Sequence, residues 1–300
     1  MMPHEKNMIL VVGEVLYDVF PELRRIGGAP FNFAFHLIQT GFPVKFISRV
    51  GTDEDGRLLL DRMQRSGFDT DHIQIDDVHQ TGRVMVYPDQ SGGHRFEILQ
   101  DVAYDYINYT EDVPELLQKP PALIYFGTLV QRTPTGRRTI DRICHSRSPE
   151  ATVFYDVNLR PGCYDRDIVQ QSLSHADILK LNDEELDVIT EMLGLDGKAG
   201  SIVEVLMREY SLTLVALTKG AQGSEIFTHE EHIIMPLNHD YDCVDTVGAG
   251  DAFAAVLAAG YLRNGDMRQV LATATEFAGR ICGIPGAVPE DSGFYGRLSV

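Results

Sequence analysis

The chain has 300 residues, 44% hydrophobic and 23% charged, with a formal net charge of −18 at neutral pH. That is enough apolar material for a full buried core, so size alone calls for no disulfide or structural metal. A surface this acidic repels phosphate backbones and anionic lipid and argues against nucleic-acid and membrane partners.

From the N-terminus, short apolar runs at 8–13, 44–50, 123–126, 152–157, 178–181 and 212–217 alternate with helical patterns at 31–39, 56–65, 135–145, 184–192 and 202–209. Strands covered on both faces read as unbroken apolar runs. Their alternation with helices predicts a doubly wound, mostly parallel α/β sheet flanked by helices, in one domain over 1–300. Two stretches break the rule. Residues 15–26 have no helical period, and 81–106 reads as strand, turn, strand, with Pro88, Gly92 and Gly93 in the turn. A hairpin set into such a chain either decorates an edge or stands apart as a small β lid over a site. A lid edge would also offer a surface for a homodimer. Further on, 252–262 is apolar all round, a helix buried in the core, and 267–282 gives another helix after the stop signal Asn264-Gly265.

The four cysteines, Cys144, Cys163, Cys243 and Cys282, have no C-x-x-C spacing and no histidine pair at ligand spacing beside them. Reduced thiols are expected rather than a zinc site. His229-Glu230-Glu231-His232 has the wrong order for a zinc protease and reads as a solvated turn. The opening residues lack a signal-peptide apolar run, and nothing approaches the roughly 18 apolar residues of a membrane span. A cytoplasmic protein is expected.

The most informative run is Asp245-Thr246-Val247-Gly248-Ala249-Gly250-Asp251, directly before the buried helix. Two glycines permit positive φ and close approach of another group. The helix start brings unpaired N–H groups and partial positive charge, a cradle for phosphate. Asp251 there is either a helix cap or a carboxylate that takes a proton from an attacking hydroxyl. No G-x-x-x-x-G-K-[ST] loop and no G-x-G-x-x-G after the first strand occur, which weakens Walker-type ATPase and dinucleotide dehydrogenase readings.

This run closely resembles the D-T-x-G-A-G-D signature of the ribokinase-like (PfkB) carbohydrate kinases. The resemblance implies an anion hole at Gly248, Ala249 and Gly250 and a catalytic base at Asp251, worth on the order of 10²–10⁴ in rate. It extends over residues 13–287, with the motifs in the family's order.

Gly27-Gly28-Ala29-Pro30-Phe31-Asn32 resembles the G-G-A-P-x-N turn that holds sugar hydroxyls, implying Gly28 and Asn32 as substrate groups; alone it is a loop–helix junction. Phe31 stands where the family carries a small residue, a departure bearing on pocket shape. Gly13-Glu14-Val15-Leu16-Tyr17-Asp18 resembles the G-E-x-L-x-D opening of fructokinase-like members, implying Asp18 on the sugar; the bare alternative is an exposed loop carboxylate. Asp156-Val157-Asn158-Leu159-Arg160 resembles the D-x-N-x-R segment of the fructokinase and 2-keto-3-deoxygluconate kinase branch, implying Asn158 and Arg160 on the substrate, against a plain surface arginine. His94-Arg95-Phe96 and the residues after it resemble the lid strand, with Leu99-Gln100 departing from the aromatic-plus-basic pattern.

Asn182-Asp183-Glu184-Glu185 reads locally as an N-cap with its capping-box partner. It also matches the family's N-x-x-E element, implying Glu185 as a Mg²⁺ residue acting through water, and Asn182 beside the phosphates. Thr218-Lys219-Gly220-Ala221-Gln222-Gly223 resembles the T-x-G-x-x-G turn against the nucleotide, which implies Thr218, Lys219, Gly220 and Gly223 as ATP-binding. Gly283-Ile284-Pro285-Gly286-Ala287 resembles the segment bordering adenine and, with Asp245 and the Val247 carbonyl, a K⁺ site.

The reading as a whole is an ATP- and Mg²⁺-dependent sugar kinase with a small sugar as partner, a ketohexose first. A 2-keto-3-deoxygluconate, ribose or nucleoside kinase, or a non-catalytic sugar-binding relative, stands behind it.

Overall fold

The computed structural model describes residues 8–88, 94–237, 242–296 and 298. Its centre is a nine-stranded sheet. Strand β1 (Ile9–Val12) pairs in parallel with β4 (Val44–Gly51) on one side and β8 (Leu123–Gly127) on the other. Strand β5 (Ile73–Asp76) lies beyond β4. The other flank continues through β9 (Thr152–Asp156), β10 (Ile178–Asn182) and β11 (Leu214–Thr218), then antiparallel β12 (Ser224–Thr228) and β13 (His232–Met235). Alternate strand residues feed two cores. Ile9, Val11, Leu123 and Tyr125 face one, and Leu10, Val12, Ile124 and Phe126 the other. Both faces are covered, hence the unbroken apolar runs.

Helices α1 (Ala29–Gln39), α2 (Glu54–Arg65), α8 (Ala249–Leu262) and α9 (Met267–Cys282) contribute to the first core. Helices α3 (Val113–Gln118), α4 (Pro134–Ser146), α5 (Arg166–His175), α6 (Asp183–Leu193) and α7 (Ala199–Tyr210) contribute to the second. Caps set several starts: Asp53 accepts from Gly56 N, Asp165 from Ile168 N and Asp266 from Gln269 N. Helix α8 begins three residues before the expected 252, because Gly248 supplies the left-handed cap, φ +80°. Gly250 and Asp251 therefore belong to its first turn. Strand β5 and helices α3 and α5 give little sequence signal, being short; Ile75 of β5 is 53% exposed.

Residues 15–26 and the hairpin build a second sheet of four strands. Its order is β3 (Arg24–Gly27), β2 (Leu16–Val19), β6 (Gly82–Pro88), β7 (His94–Ile98). Leu16 registers with Gly82 in the parallel β2–β6 pair, so the hairpin joins β2 and not an edge of the large sheet. The expected turn glycines, Gly92 and Gly93, lie outside the described residues, and 103–106 is a 3₁₀ turn. Around Glu230 and Glu231, whose amides donate to Thr228 Oγ1, the chain does turn, before His232 enters β13. Among the described residues no helix is long and apolar enough to cross a membrane.

Candidate active site

Strands β4 and β5 extend the large sheet one way from β1, and β8 to β11 the other. Such a reversal leaves a crevice beyond the carboxyl ends of the strands, where sheets of this class take ligands. Helix α8 starts there. A Cβ at Gly248 would lie 2.3 Å from the Cβ of Ala287, so glycine is required by contact as well as by its positive φ. A Cβ at Gly250 would stand 3.1 Å from Lys180 Nζ. In a first helical turn the amides have no intrahelical acceptor and carry the positive end of the dipole, which is the state of Gly250 and Asp251. The Ala249 N–H turns back to Thr246 O at 3.4 Å.

Asp251 does not cap its helix. Its Oδ2 accepts from Asn32 Nδ2 at 2.8 Å, a bond that joins the two glycine motifs across 219 residues. Burial, then the charge of Asp156, push its pKa up to about 6, against Lys180, the Asn32 hydrogen bond and Arg160. A carboxylate tuned close to neutrality suits proton abstraction. Two more acids share the crevice. Burial raises Glu14 to about 7, partly offset by its backbone hydrogen bond and Arg160. Burial likewise raises Asp18 to about 6, with Arg160 opposing. Asp18 packs on Gly27, where a Cβ would fall 2.5 Å from Oδ2.

Among the described residues, Glu14 Oε2, Asn32 Oδ1 and Tyr104 OH are buried without a hydrogen-bond partner. Tyr104 is near enough to Glu14 for that carboxyl to raise its pKa, although burial is the larger cause. An unpaired buried polar group costs about 1–3 kcal/mol, which a hydroxylated ligand would recover. Glu14 and Tyr104 were not singled out from sequence; an acid inside the apolar run 9–16 was the available signal. Gly28 takes φ +108° at the start of α1, and a Cβ there would strike Glu14 O at 2.6 Å. Phe31 points away from these groups, stacking on Phe68 at 5.1 Å between centroids. Its bulk is absorbed by the core beneath α1.

Asn158 adopts φ +40° just past β9. Arg160 is exposed, donates to Leu159 O at 3.0 Å, and lowers Glu14, Asp18 and Asp251 by its charge. Arg95 and Phe96 stay exposed on β7, with Arg95 5.0 Å over the Tyr87 ring.

On the other side of Gly250 lies a cavity of about 360 Å³ lined by Thr218, Gly220, Gly223, Thr246, Ala249 and Phe253, among others. Lys219 is committed elsewhere, paired with Glu225 on β12. The buried lysine beside the glycine turn is Lys180, which sequence reasoning passed over. Its Nζ donates to Asp156 Oδ1 at 2.9 Å, and Asp156 Oδ2 accepts from Tyr125 OH at 3.0 Å. Burial pulls Lys180 down, but the charges of Asp156, Glu185 and Asp251 outweigh it and hold its pKa above the usual value. Asn182 and Glu185 form the capping box: Asn182 Oδ1 accepts from Glu185 N at 2.8 Å and Glu185 Oε2 from Asn182 N at 2.9 Å. Glu185 Oε1 also accepts from Leu159 N at 2.9 Å. Asp245 ties two loops, accepting from Val247 N at 3.0 Å and Gly286 N at 3.1 Å, with Arg25 3.5 Å away. A larger cavity, about 1510 Å³, opens at the opposite ends of the strands beside Pro43, Ala122 and Thr152, away from all these groups.

A crevice with a helix-start anion site, a tuned carboxylate and a polar floor defines a small-molecule phosphotransferase. Residues 7–291 match the model of the pfkB family carbohydrate kinases. A fructokinase of Salmonella typhimurium is 30% identical over 277 residues, covering 86% of this chain and 85% of that one. In fold, the chain is similar to fructokinase with bound ATP from Xylella fastidiosa, TM-score 0.83 at 22% identity over 94% of each chain. It is also similar to aminoimidazole riboside kinase from Salmonella enterica, TM-score 0.79 at 22% identity, covering 98% of this chain and 100% of that one. The chain belongs to the pfkB family of carbohydrate kinases and is a sugar phosphotransferase.

Proposed function

We propose that this kinase transfers the γ-phosphoryl group of ATP to a primary hydroxyl of a ketohexose, a fructokinase-like reaction. The observation that carries the reading is the 2.8 Å bond between Asn32 and Asp251, which puts the sugar-side motif in contact with the phosphate-side motif. In this reading Asp18, Gly28, Asn32, Asn158 and Arg160 hold the sugar, and Glu14 Oε2 and Tyr104 OH pair with its hydroxyls. The nucleotide lies in the cavity lined by Thr218, Gly220 and Gly223. Asp251 takes the proton of the attacking hydroxyl. The sugar oxygen bonds to the γ-phosphorus as the bond to the ADP oxygen breaks. The amides of Gly250 and Asp251, with Lys180 beside them, face the charge on the transferred group.

The Glu185 carboxylate is the kind of oxygen donor a hard divalent cation takes. Both Glu185 oxygens already accept backbone N–H groups, which suits contact through water. Bound Mg²⁺ would neutralise phosphate charge. A K⁺ ion at Asp245 and Val247 fits less well, since the Arg25 guanidinium already stands 3.5 Å from Asp245, and no step is assigned to it.

A sugar acid stands behind the ketohexose: its carboxylate would enter beside Glu14, Asp18 and Asp251, whose charge Arg160, Arg25 and Lys180 offset only in part. A purely sugar-binding role would leave the tuned carboxylate without a task. The second sheet closes over the sugar as a lid, and its exposed Leu23, Tyr87 and Phe96 form the face for a second copy. A panel of ketohexoses, sugar acids, pentoses and nucleosides with MgATP, read by ADP release, tests the proposal. Fructose or a related ketose should give the highest kcat/KM. Tight sugar binding without ADP from any member would reject the kinase role, and preference for a sugar acid would reject the ketohexose.

A further inference from the structure

We propose that Asp141, His145 and His175 form a binding site for a borderline-soft divalent metal ion such as Zn²⁺, at the end of the molecule opposite the catalytic crevice. Asp141 and His145 are one turn apart on α4 and share a face. His175 is the last residue of α5. Both helices run back to the starts of the next strands, away from the carboxyl ends where Asp251 lies. Along the chain only Asp141 and His145 are neighbours; the third group comes from another helix.

The distances suit a metal. One ligand atom from each residue lies within 4.8 Å of the others. Asp141 Oδ1 is 3.1 Å from His175 Nε2 and 3.3 Å from His145 Nδ1. Bonds of about 2.0–2.1 Å in a tetrahedral zinc site put ligand atoms about 3.3 Å apart. The carboxylate also has an outer support. Gln171 Nε2 donates to the same Oδ1 at 2.6 Å, and Gln171 Oε1 accepts from Arg137 Nε at 2.8 Å. Such hydrogen bonds orient metal-binding carboxylates. His175 is 10% exposed and His145 68% exposed, so one side is fixed and the other open for entry and for a water ligand.

Without metal, His175 Nε2 hydrogen-bonds to Asp141 Oδ1, and His145 Nδ1 donates to the backbone O of Asp141 at 2.8 Å. On binding, each ligating ring nitrogen presents its lone pair to the ion and carries its proton on the other nitrogen. Two imidazoles with one carboxylate select zinc-like ions over Mg²⁺ or Ca²⁺, which take oxygen ligands. The ion would staple α4 to α5.

The test is titration of nucleotide-free protein with ZnCl₂ by calorimetry and with CoCl₂ by visible absorption. Expected are one saturable micromolar site, tetrahedral cobalt bands, and affinity weakened roughly tenfold or more in His145→Ala and His175→Ala. Circular dichroism, and ADP release with MgATP, should be unchanged in both variants before zinc is added. Absence of saturable binding overturns the proposal. So does binding unaltered in both variants, which would put the ion at the catalytic carboxylates. Failure of the kinase reading would appear in ADP release by the zinc-free wild type with MgATP and leave this titration untouched.

Discussion

The start of α8 and the outer strand of the second sheet are built in opposite ways. At α8, Asp251, Lys180, Asp156 and Asn32 are buried and fix one another by hydrogen bonds and charge. On the second sheet, Phe96 is 52% exposed and Arg95 touches its neighbours Tyr87 and Glu97 on the surface. Chemistry needs groups held before the substrate arrives, since preorganised charge acts without reorganisation at the moment of reaction. Enclosure needs a surface that can stand open in water. Asp18 is the residue that belongs to both, carried on β2 yet raised by burial and by the charge of Asp251.

The comparison breaks most visibly at Asp251. In Asp251→Asn the Asn32 contact can persist through the amide oxygen, so sugar binding by calorimetry should stay within about threefold of wild type. Turnover should fall by on the order of 10²–10⁴, because an amide accepts no proton from the hydroxyl. Unchanged kcat would remove Asp251 from the reaction and leave it a packing residue.

Much of this half of the site was legible in the sequence, because the physics there is local. A glycine pair before an apolar helix states both the turn and the unpaired amides, and Asn182 with Glu185 states its own capping box. What could not be read are contacts between distant segments. Nothing near Lys180 in the chain announces Asp156. Nor does the sequence tell that Phe31 stacks on Phe68. The second sheet was half visible: the hairpin has its alternation and turn residues, but the parallel pairing of β2 with β6 is invisible to spacing.

Lys180 sharpens the comparison next. Lys180→Met removes the buried cation beside Gly250 and leaves Asp156 unpaired. We expect kcat to drop about 100-fold, with sugar KM nearly unmoved, as when charge stabilisation of a transition state is lost. The pH profile carries the more specific signature. Asp251, at about 6, works as a base only when ionised, so wild-type kcat should decline as pH falls through that value. Lys180 holds the Asp251 pKa down; without it that pKa rises, and the acid limb moves to higher pH. A uniform loss of activity with the limb in place would make Lys180 a structural partner of Asp156 and nothing more.

The smallest effect belongs to the exposed strand. Arg95 lies over the Tyr87 ring and 3.9 Å from Glu97, contacts that solvent weakens. If the second sheet encloses the sugar without joining the chemistry, Arg95→Ala should raise sugar KM by at most about fivefold, near 1 kcal/mol, and leave kcat and the acid limb alone. Asp18→Asn, in the same sheet but turned into the crevice, should raise KM well beyond that. Should Arg95→Ala instead depress kcat as Lys180→Met does, the outer strand would have to reach the reacting atoms, and the division between a fixed chemical edge and an open cover would no longer hold.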